Sequence, residues 1–577
     1  VIRVEQYKQS LIRKIEKFFP GITTSDLLPA PKGIDADFAI PCYQLAKEMR
    51  RPPKCVAKDV AERIAAEGSL LESCRIDSVY SSGNYVNFKI RPEAVVTSIL
   101  DKVSTEKDAY GSSDMGDNLR IVVDYSGPNI GKPLHIGHIR STIIGDSIIR
   151  LLKYTGHNVY GINYLGDIGL HIGKIVTAYE HWGDEHKLDA NPENEMFNLY
   201  VRFGKEAEVN PSLEIQAKRV LKEIEACNGS HEALVQKIHS WSNRAFDRVY
   251  SMLNINFDEV TGQSKFSDRG KELVRNALEK KIACLAASGE QPLEMESEVN
   301  HRGVVVPLRQ YGLPDKVVLR DDGTAIYSTQ DLGAAVARSQ QYKFDKMIYI
   351  VANEQSTYFK QIFKILELSG YDWVDKCFHL SFGLINLKDG KISSREGNVV
   401  LLEDVLNKAI EEASTKIKNG TENKEVIARQ VGIGAIKYMI LSVDPVKDID
   451  FSWERAMNFE SNSAPYVQYS HARLASILRK KSDEHYSPKD FESNLELNLI
   501  KKIGDFPYVV KRSASLLKPN LVANYASELS QLANAFYHSN QILGSDKEAS
   551  RLCLASATRT TLKNSLTLLG IAAPDRM

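Results

Sequence analysis

The chain has 577 residues, with 74 Lys and Arg against 74 Asp and Glu, 43% hydrophobic and 26% charged residues, which is ordinary for a globular protein and long enough for roughly three or four domains. No apolar run approaches the ~18 residues of a membrane span, and the opening VIRVEQYKQSLIRKIEKFF is too charged for a signal peptide. Seven widely spaced cysteines without a CxxC pair support neither a disulfide framework nor a zinc site, so a cytoplasmic chain is expected.

Lys and Arg outnumber Asp and Glu 17 to 15 over residues 1–112 and 15 to 10 over residues 461–577, leaving an acidic middle. Basic ends suit a polyanion held at both, and equally suit ordinary scatter of surface charge. In chain order, helical spacing in YKQSLIRKIEKFF and PPKCVAKDVAERIAAE, then the alternating SVYSSGNYVNFKI, predicts a small α+β unit over 1–112. The polar, glycine-bearing STEKDAYGSSDMGDN (104–118) reads as a linker. LRIVVDYS (119–126) reads as a buried strand, HIGHIRSTIIGDSIIRLLKYTG as a helix ending at Gly156, and NVYGINYL (158–165) as a second strand. Strand, crossover helix and strand make a βαβ unit, the seed of a doubly wound parallel sheet. Residues from about 180 to 300 are helical in pattern and read as an insertion. Sheet-like text returns at GVVVPL, KVVLRDDGTAIYST and DKMIYIVA (345–352), and nearly everything after about 405 is helical.

The expected fold is therefore α/β. A Rossmann-type doubly wound parallel sheet spans 113–405 around the helical insertion, with an N-terminal α+β domain before it. A helical connection (406–460) and an all-helical bundle (461–577) follow.

His135 and His138 in PNIGKPLHIGHIRSTIIGD stand three residues apart on the first turn of the predicted helix, just past the C-terminal end of the first strand. Unpaired backbone N–H groups and the positive end of the helix dipole make that place ready for an anion, and two imidazole N–H donors there suit a phosphate. Gly137 between them lets a flat ring approach the backbone without a Cβ in the way. A bare HxGH is equally a helix start with two solvated histidines.

The whole stretch resembles the HIGH signature of class I aminoacyl-tRNA synthetases, and VDYSGPNIGKPLHIGHIRSTIIGD is specifically similar to arginyl-tRNA synthetases. YLGDIGLHIG, LRDDGTAIYSTQDLGAA, FDKMIYIVANEQ, GKISSREGNVV and NSAPYVQYSHARLASILRK follow in that family's order, and DADFAIPCYQLAKEMRRPP with SGNYVNFKI resembles its N-terminal domain. The resemblance implies an arginine–tRNA ligase with L-arginine, ATP and tRNA(Arg) as partners. Residues 1–112 are then an additional tRNA-binding domain and 461–577 an anticodon-binding domain. It also implies Mg²⁺ carried by ATP, no protein-bound metal, no membrane, a monomer, and amino-acid activation that requires tRNA.

The first nucleophile of that reaction, the arginine carboxylate, is already ionised, so catalysis reduces to positioning and stabilising charge on phosphates. By resemblance, His135, His138, Lys132 and Lys391 carry the chemistry. ATP is bound by His135, Gly137, His138, Lys391, Ser393 and Arg395. KISSR (391–395) resembles the lysine-bearing KMSKS loop, with Ser394 at the second lysine position; standing alone, it also reads, less readily, as a polar hairpin turn. A guanidinium calls for a carboxylate that matches its planar fork. Tyr327 and Asp331 fall where the family's guanidinium pocket lies, with Asp124, Asn129 and Gln355 toward the substrate's amino and carboxylate groups. Asp331 would also make a helix N-cap, Asp124 a solvated strand-end carboxylate and Asn129 a turn residue.

Gln263 stands where many relatives carry a glutamate of the guanidinium pocket, and His171 where glutamine is commoner. Gln263 is the one support for an RNA-binding relative that does not activate an amino acid. A nucleotidyltransferase also uses HxGH, but such chains are shorter and lack the helical C-terminal unit. Tyr85, Asn87, His471 and the aromatic residues of YVQYSHAR are candidates for tRNA contact or for packing.

Overall fold

The computed structural model describes residues 11–226, 229–285, 303–386, 401–418, 422–479 and 487–577, apart from residues 24 and 32. In the N-terminal unit, β1 (Leu28–Pro29), β2 (Phe38–Pro41), β3 (Ile76–Ser82) and β4 (Tyr85–Ile90) form an antiparallel sheet ordered β1-β2-β4-β3. Helix α1 (Pro53–Ala65) covers it, burying Val56, Ala57, Val60, Ala61 and Ile64 at helical spacing.

Helix α2 (Pro92–Glu106) then leads into the stretch expected to be a linker. That segment is docked instead. Tyr110 is buried, stacks on Phe506 with ring centroids 6.0 Å apart and donates its hydroxyl to the Ile503 carbonyl at 2.9 Å. Polar and glycine-rich composition marks irregular backbone, but says nothing of an aromatic anchor set within it.

The central sheet is parallel and ordered β12-β11-β5-β6-β7, from β5 (Arg120–Asp124), β6 (Asn158–Leu165), β7 (Glu259–Gly262), β11 (Lys346–Ala352) and β12 (Cys377–Phe382). Strand β5 lies between β6 and β11, so the order reverses there and opens a crevice at its C-terminal end. Edge strand β7 falls inside the segment read as a helical insertion. Only one of its four residues is buried, so no apolar run announced it.

Three short strands, β8 (Cys284–Leu285), β9 (Gly303–Val306) and β10 (Lys316–Arg320), form a separate antiparallel sheet. Helix α3 (Ile136–Tyr154) connects β5 to β6, and α4 (Leu170–Trp182) follows β6. The insertion contributes α5 (Pro192–Val209), α6 (Ser212–Glu225) and α7 (Glu232–Leu253). Helix α8 (Tyr327–Tyr342) precedes β11 and α9 (Ser356–Leu368) follows it.

The C-terminal half holds α10 (Leu402–Lys416), α11 (Lys424–Leu441), α12 (Ala464–Leu478), α13 (Asn494–Leu516), α14 (Asn520–Ser539) and α15 (Glu548–Leu568). Helix α3 lies between sheet and bundle and is buried along Ile136, Ile139, Ile143, Ile144, Ile148, Leu151 and Leu152. Full burial of such side chains stabilises by about 1.5–3 kcal/mol each. Gly145 is required where α3 meets β5, because a Cβ there would lie 2.3 Å from the Tyr125 ring. Toward the bundle, Ser147 donates to the Leu568 carbonyl at 2.9 Å, while buried Lys437 donates to the Gly570 carbonyl at 2.7 Å and lies 3.8 Å from Asp146. No described helix is long and apolar enough to cross a membrane.

Candidate active site

The crevice beyond β5 is built by a turn that the insertion holds in place. Gly131 donates its N–H to Ser242 at 2.9 Å, and Tyr250 meets Ser126 at 2.8 Å and Asn163 at 3.1 Å. Asn129 is bridged to Gly166 in parallel register, and Ile130 N–H reaches the Gly166 carbonyl at 3.0 Å. A Cβ at Gly166 would fall onto the Asn129 amide, so glycine admits that side chain.

Helix α3 starts from this turn. The Gly137 N–H donates to His135 Nδ1 at 3.1 Å, and the His135 N–H donates to His138 Nδ1 at 3.3 Å. The rings lie 4.0 Å apart, centroid to centroid. The two imidazoles therefore satisfy helix-start donors with their Nδ1 atoms, which assigns the proton of each neutral ring to Nε2. Burial, then the neighbouring charges, pushes His135 down to about 4 and His138 to about 3. Both are neutral at pH 7 and present Nε2–H donors.

Lys132 is half-buried, with Nζ 3.2 Å from the Tyr200 hydroxyl and 4.3 Å from its ring centroid. Lys391, Ser393 and Arg395 lie outside the described residues. The chain resumes beside the signature: Leu401 bridges His135, and the Leu402 N–H reaches the Leu134 carbonyl at 2.9 Å. His171 is buried on α4 and donates Nε2–H to the Gly166 carbonyl at 3.2 Å; burial pushes it down to about 4.

Across the crevice, α8 begins at Tyr327, so Asp331 lies in its second turn and does not cap it. Asp331 accepts from the Tyr358 hydroxyl of α9. Burial raises its carboxyl to about 6 against the lowering influence of Tyr358 and Arg338. Tyr327 is half-exposed, within electrostatic reach of Asp331 and Tyr200. Asp124 ends β5 and is not a solvated carboxylate: Arg338 of α8 donates to its Oδ2 at 2.8 Å, both side chains buried. Burial nevertheless holds the Asp124 carboxyl above its ordinary range. Gln355 is exposed just past β11.

Gln263 is buried beyond β7, its Oε1 without a hydrogen-bond partner among the described residues. Asn87 and His471 are buried, while Tyr469 and Tyr537 are partly exposed on the bundle and flank Arg473 at 4.7 and 4.8 Å. No group of three or more metal-ligating side chains occurs among the described residues.

The structure thus sets His135, His138 and Lys132 together at the mouth of α3 with Asn129 in the turn before it, and Tyr327 and Asp331 together beside the Asp124–Arg338 pair, with Tyr200 in reach of both Lys132 and Tyr327. Sequence reasoning missed Arg338, Tyr164, Tyr358 and Tyr200. Only Arg338 carried a signal, a lone cation two turns from Asp331 on a helix of small residues.

A helix start facing the carboxyl ends of a parallel sheet, with histidine donors at its mouth and a helical bundle behind, defines a class I aminoacyl-tRNA synthetase. Residues 98–453 match the catalytic domain of class I tRNA synthetases (R), residues 467–577 the DALR anticodon binding domain, and residues 5–90 the arginyl tRNA synthetase N terminal domain. The chain belongs to the arginyl-tRNA synthetase family. An arginine–tRNA ligase of Clostridioides difficile is 38% identical over 566 residues, covering 96% of this chain and 95% of the relative. One of Clostridium perfringens is 38% identical over 585 residues, covering 100% and 98%. The structure of Thermus thermophilus arginyl-tRNA synthetase superposes with a TM-score of 0.77 at 25% identity over the whole of both chains.

Proposed function

We propose that this crevice makes arginyl-adenylate and charges tRNA(Arg). A carboxylate oxygen of L-arginine attacks the α-phosphorus of MgATP and diphosphate leaves. A terminal ribose hydroxyl of the tRNA then attacks the arginyl carbonyl, losing its proton as AMP leaves. In this reading the Nε2–H groups of His135 and His138 and the start of α3 hold the phosphates, where charge builds in the transition state. Gly137 keeps that approach open, and Lys132 adds positive charge. Lys391, Ser393 and Arg395 are assigned to the same ATP by their signature alone.

Asp331 reads the substrate guanidinium, Tyr327 closes over it, and Asn129, Gln355 and the free edge of Asp124 face the amino and carboxylate end. The observation that carries this assignment is the half-buried Asp331 carboxylate beside Tyr327, whose neighbour Tyr200 also meets Lys132 of the signature. Residues 461–577 are assigned to the anticodon loop, with Tyr469, Arg473 and Tyr537 as a stacking platform, and 1–112 to the outer part of the tRNA. A cytoplasmic monomer completes the reading.

The test is Asp331→Asn in arginine-dependent ATP–diphosphate exchange with tRNA present. Because the carboxyl titrates at about 6, wild-type kcat/KM for arginine is expected to fall below that pH as Asp331 takes a proton, without a matching fall for ATP. The variant raises KM for arginine by about 100-fold, leaves KM for ATP within about twofold, and loses that acid limb. Equal damage to both substrates contradicts a guanidinium role.

A further inference from the structure

Arg338 Nη2 is buried without a hydrogen-bond partner among the described residues. The Arg338 guanidinium stands over the Tyr164 ring at 4.5 Å. Arg338 is 3% exposed, donates to Asp124 at 2.8 Å and lies 5.9 Å from the Tyr349 ring. It is seven residues from Asp331 on α8, so both project from one face of that helix. The chain thus keeps a guanidinium of its own beneath the crevice proposed to take one from solution.

Its position settles a conflict. Without Arg338, a ligand would meet two carboxylates, the buried Asp124 and the half-buried Asp331, and neighbouring desolvated acids do not both stay ionised. We propose that Arg338 is a positioning residue for amino-acid specificity: it occupies Asp124 from inside the protein and leaves Asp331 ionised and open as the single reader of the ligand's guanidinium. The inference rests on the assignment of Asp331 to arginine.

Every element around Asp331 bears on its charge. Tyr358 donates to it from α9, Tyr164 and Asp124 approach from β6 and β5, Lys316 from β10, and Tyr327 and Arg338 from its own helix. Among the cations, Arg338 is the one engaged with the competing acid. With its charge removed, Asp331 holds its proton to higher pH. A protonated carboxyl donates a hydrogen bond, which suits the ureido carbonyl of citrulline and not a guanidinium, which offers donors only. Loss of Arg338 therefore trades arginine for its neutral isostere, an effect that mere loosening of the helix does not produce.

The experiment measures KM for arginine, Ki for citrulline and KM for ATP in tRNA-supplemented exchange with the full chain, for wild type, Arg338→Lys, Arg338→Gln and Asp331→Asn. Arg338→Gln is expected to lower the discrimination between arginine and citrulline by about tenfold or more near pH 7, recovering as pH rises toward about 8.5, with KM for ATP within about twofold. Arg338→Lys keeps the charge and holds discrimination within about threefold of wild type. Proportional weakening of arginine and citrulline in Arg338→Gln, or equal damage to ATP, overturns the proposal. If Arg338→Gln does not fold, Arg338→Lys decides: a folded lysine variant that loses discrimination by about tenfold overturns it, and one that keeps it supports it. Asp331→Asn separates the two readings. An arginine-selective loss there beside an unchanged ratio in Arg338→Gln defeats this inference alone, whereas no selective loss removes its foundation.

Discussion

His135 and His138 turn their Nδ1 atoms inward to backbone N–H groups, so what they offer outward is Nε2–H. Desolvation keeps both neutral, as their depressed values of about 4 and about 3 require. They are therefore fixed neutral donors, beside which Lys132 supplies the formal charge. Donors aimed at a developing phosphate charge each contribute about 100-fold or more to the chemical step. His138→Gln is accordingly expected to slow adenylate formation by about that factor, since an amide with both polar atoms at its end does not hold the His135 N–H and a ligand oxygen as the two sides of an imidazole do. Retention of tRNA on a filter stays at the wild-type level. A folded variant with unaltered exchange removes His138 from the chemistry.

At the scale of elements, α3 is anchored by Arg140, one turn past the histidines. Its guanidinium is buried and donates to the carbonyls of Gly383 at 2.6 Å, Lys447 at 2.7 Å, Pro445 at 3.1 Å and Leu384 at 3.4 Å. These join the helix to the exit of β12 and to the loop after α11. Arg140→Met strands those carbonyls and is expected to cost on the order of 3 kcal/mol, read from the urea midpoint; a loss under about 1 kcal/mol contradicts the clamp. Nothing in the sequence singles this arginine out, because its partners are more than 240 residues away. The same reason hid Arg338, paired with Asp124 across 214 residues, and Tyr358, which reaches Asp331 from another helix. What could be read was local or a signature: β5, α3 with its Gly156 stop, β6, β11, and the order of motifs around them. Strand β7 offered no apolar run, and Tyr110 looked like part of a linker because composition does not show which aromatic finds a partner.

Over the whole molecule, these desolvated groups set how stability responds to acid. A histidine whose folded value lies below its ordinary 6.5 stabilises fully above that pH, and its contribution is lost as pH falls toward the folded value. His135, His138 and His171 have windows from 6.5 down to about 4, about 3 and about 4, and burial lowers His379 and His471 in the same direction. Asp331 acts with the opposite sign. Its carboxyl, raised from 3.8 to about 6, makes the folded state bind the extra proton between those values. Near pH 5 His135, His138 and His171 outweigh Asp331, so the unfolded chain binds about two protons more from these four groups, a slope of about 2.5 kcal/mol per pH unit. Stability is therefore expected to rise from about pH 5 to about 6.5, followed by urea midpoints at fixed salt. With His135→Gln and His138→Gln combined, His171 and Asp331 nearly offset each other, the lowered His379 and His471 work against the raised Asp124, and most of the slope is lost. A wild-type maximum near pH 5, or a double variant that keeps the full slope, would show that the signature imidazoles are not desolvated at the mouth of α3.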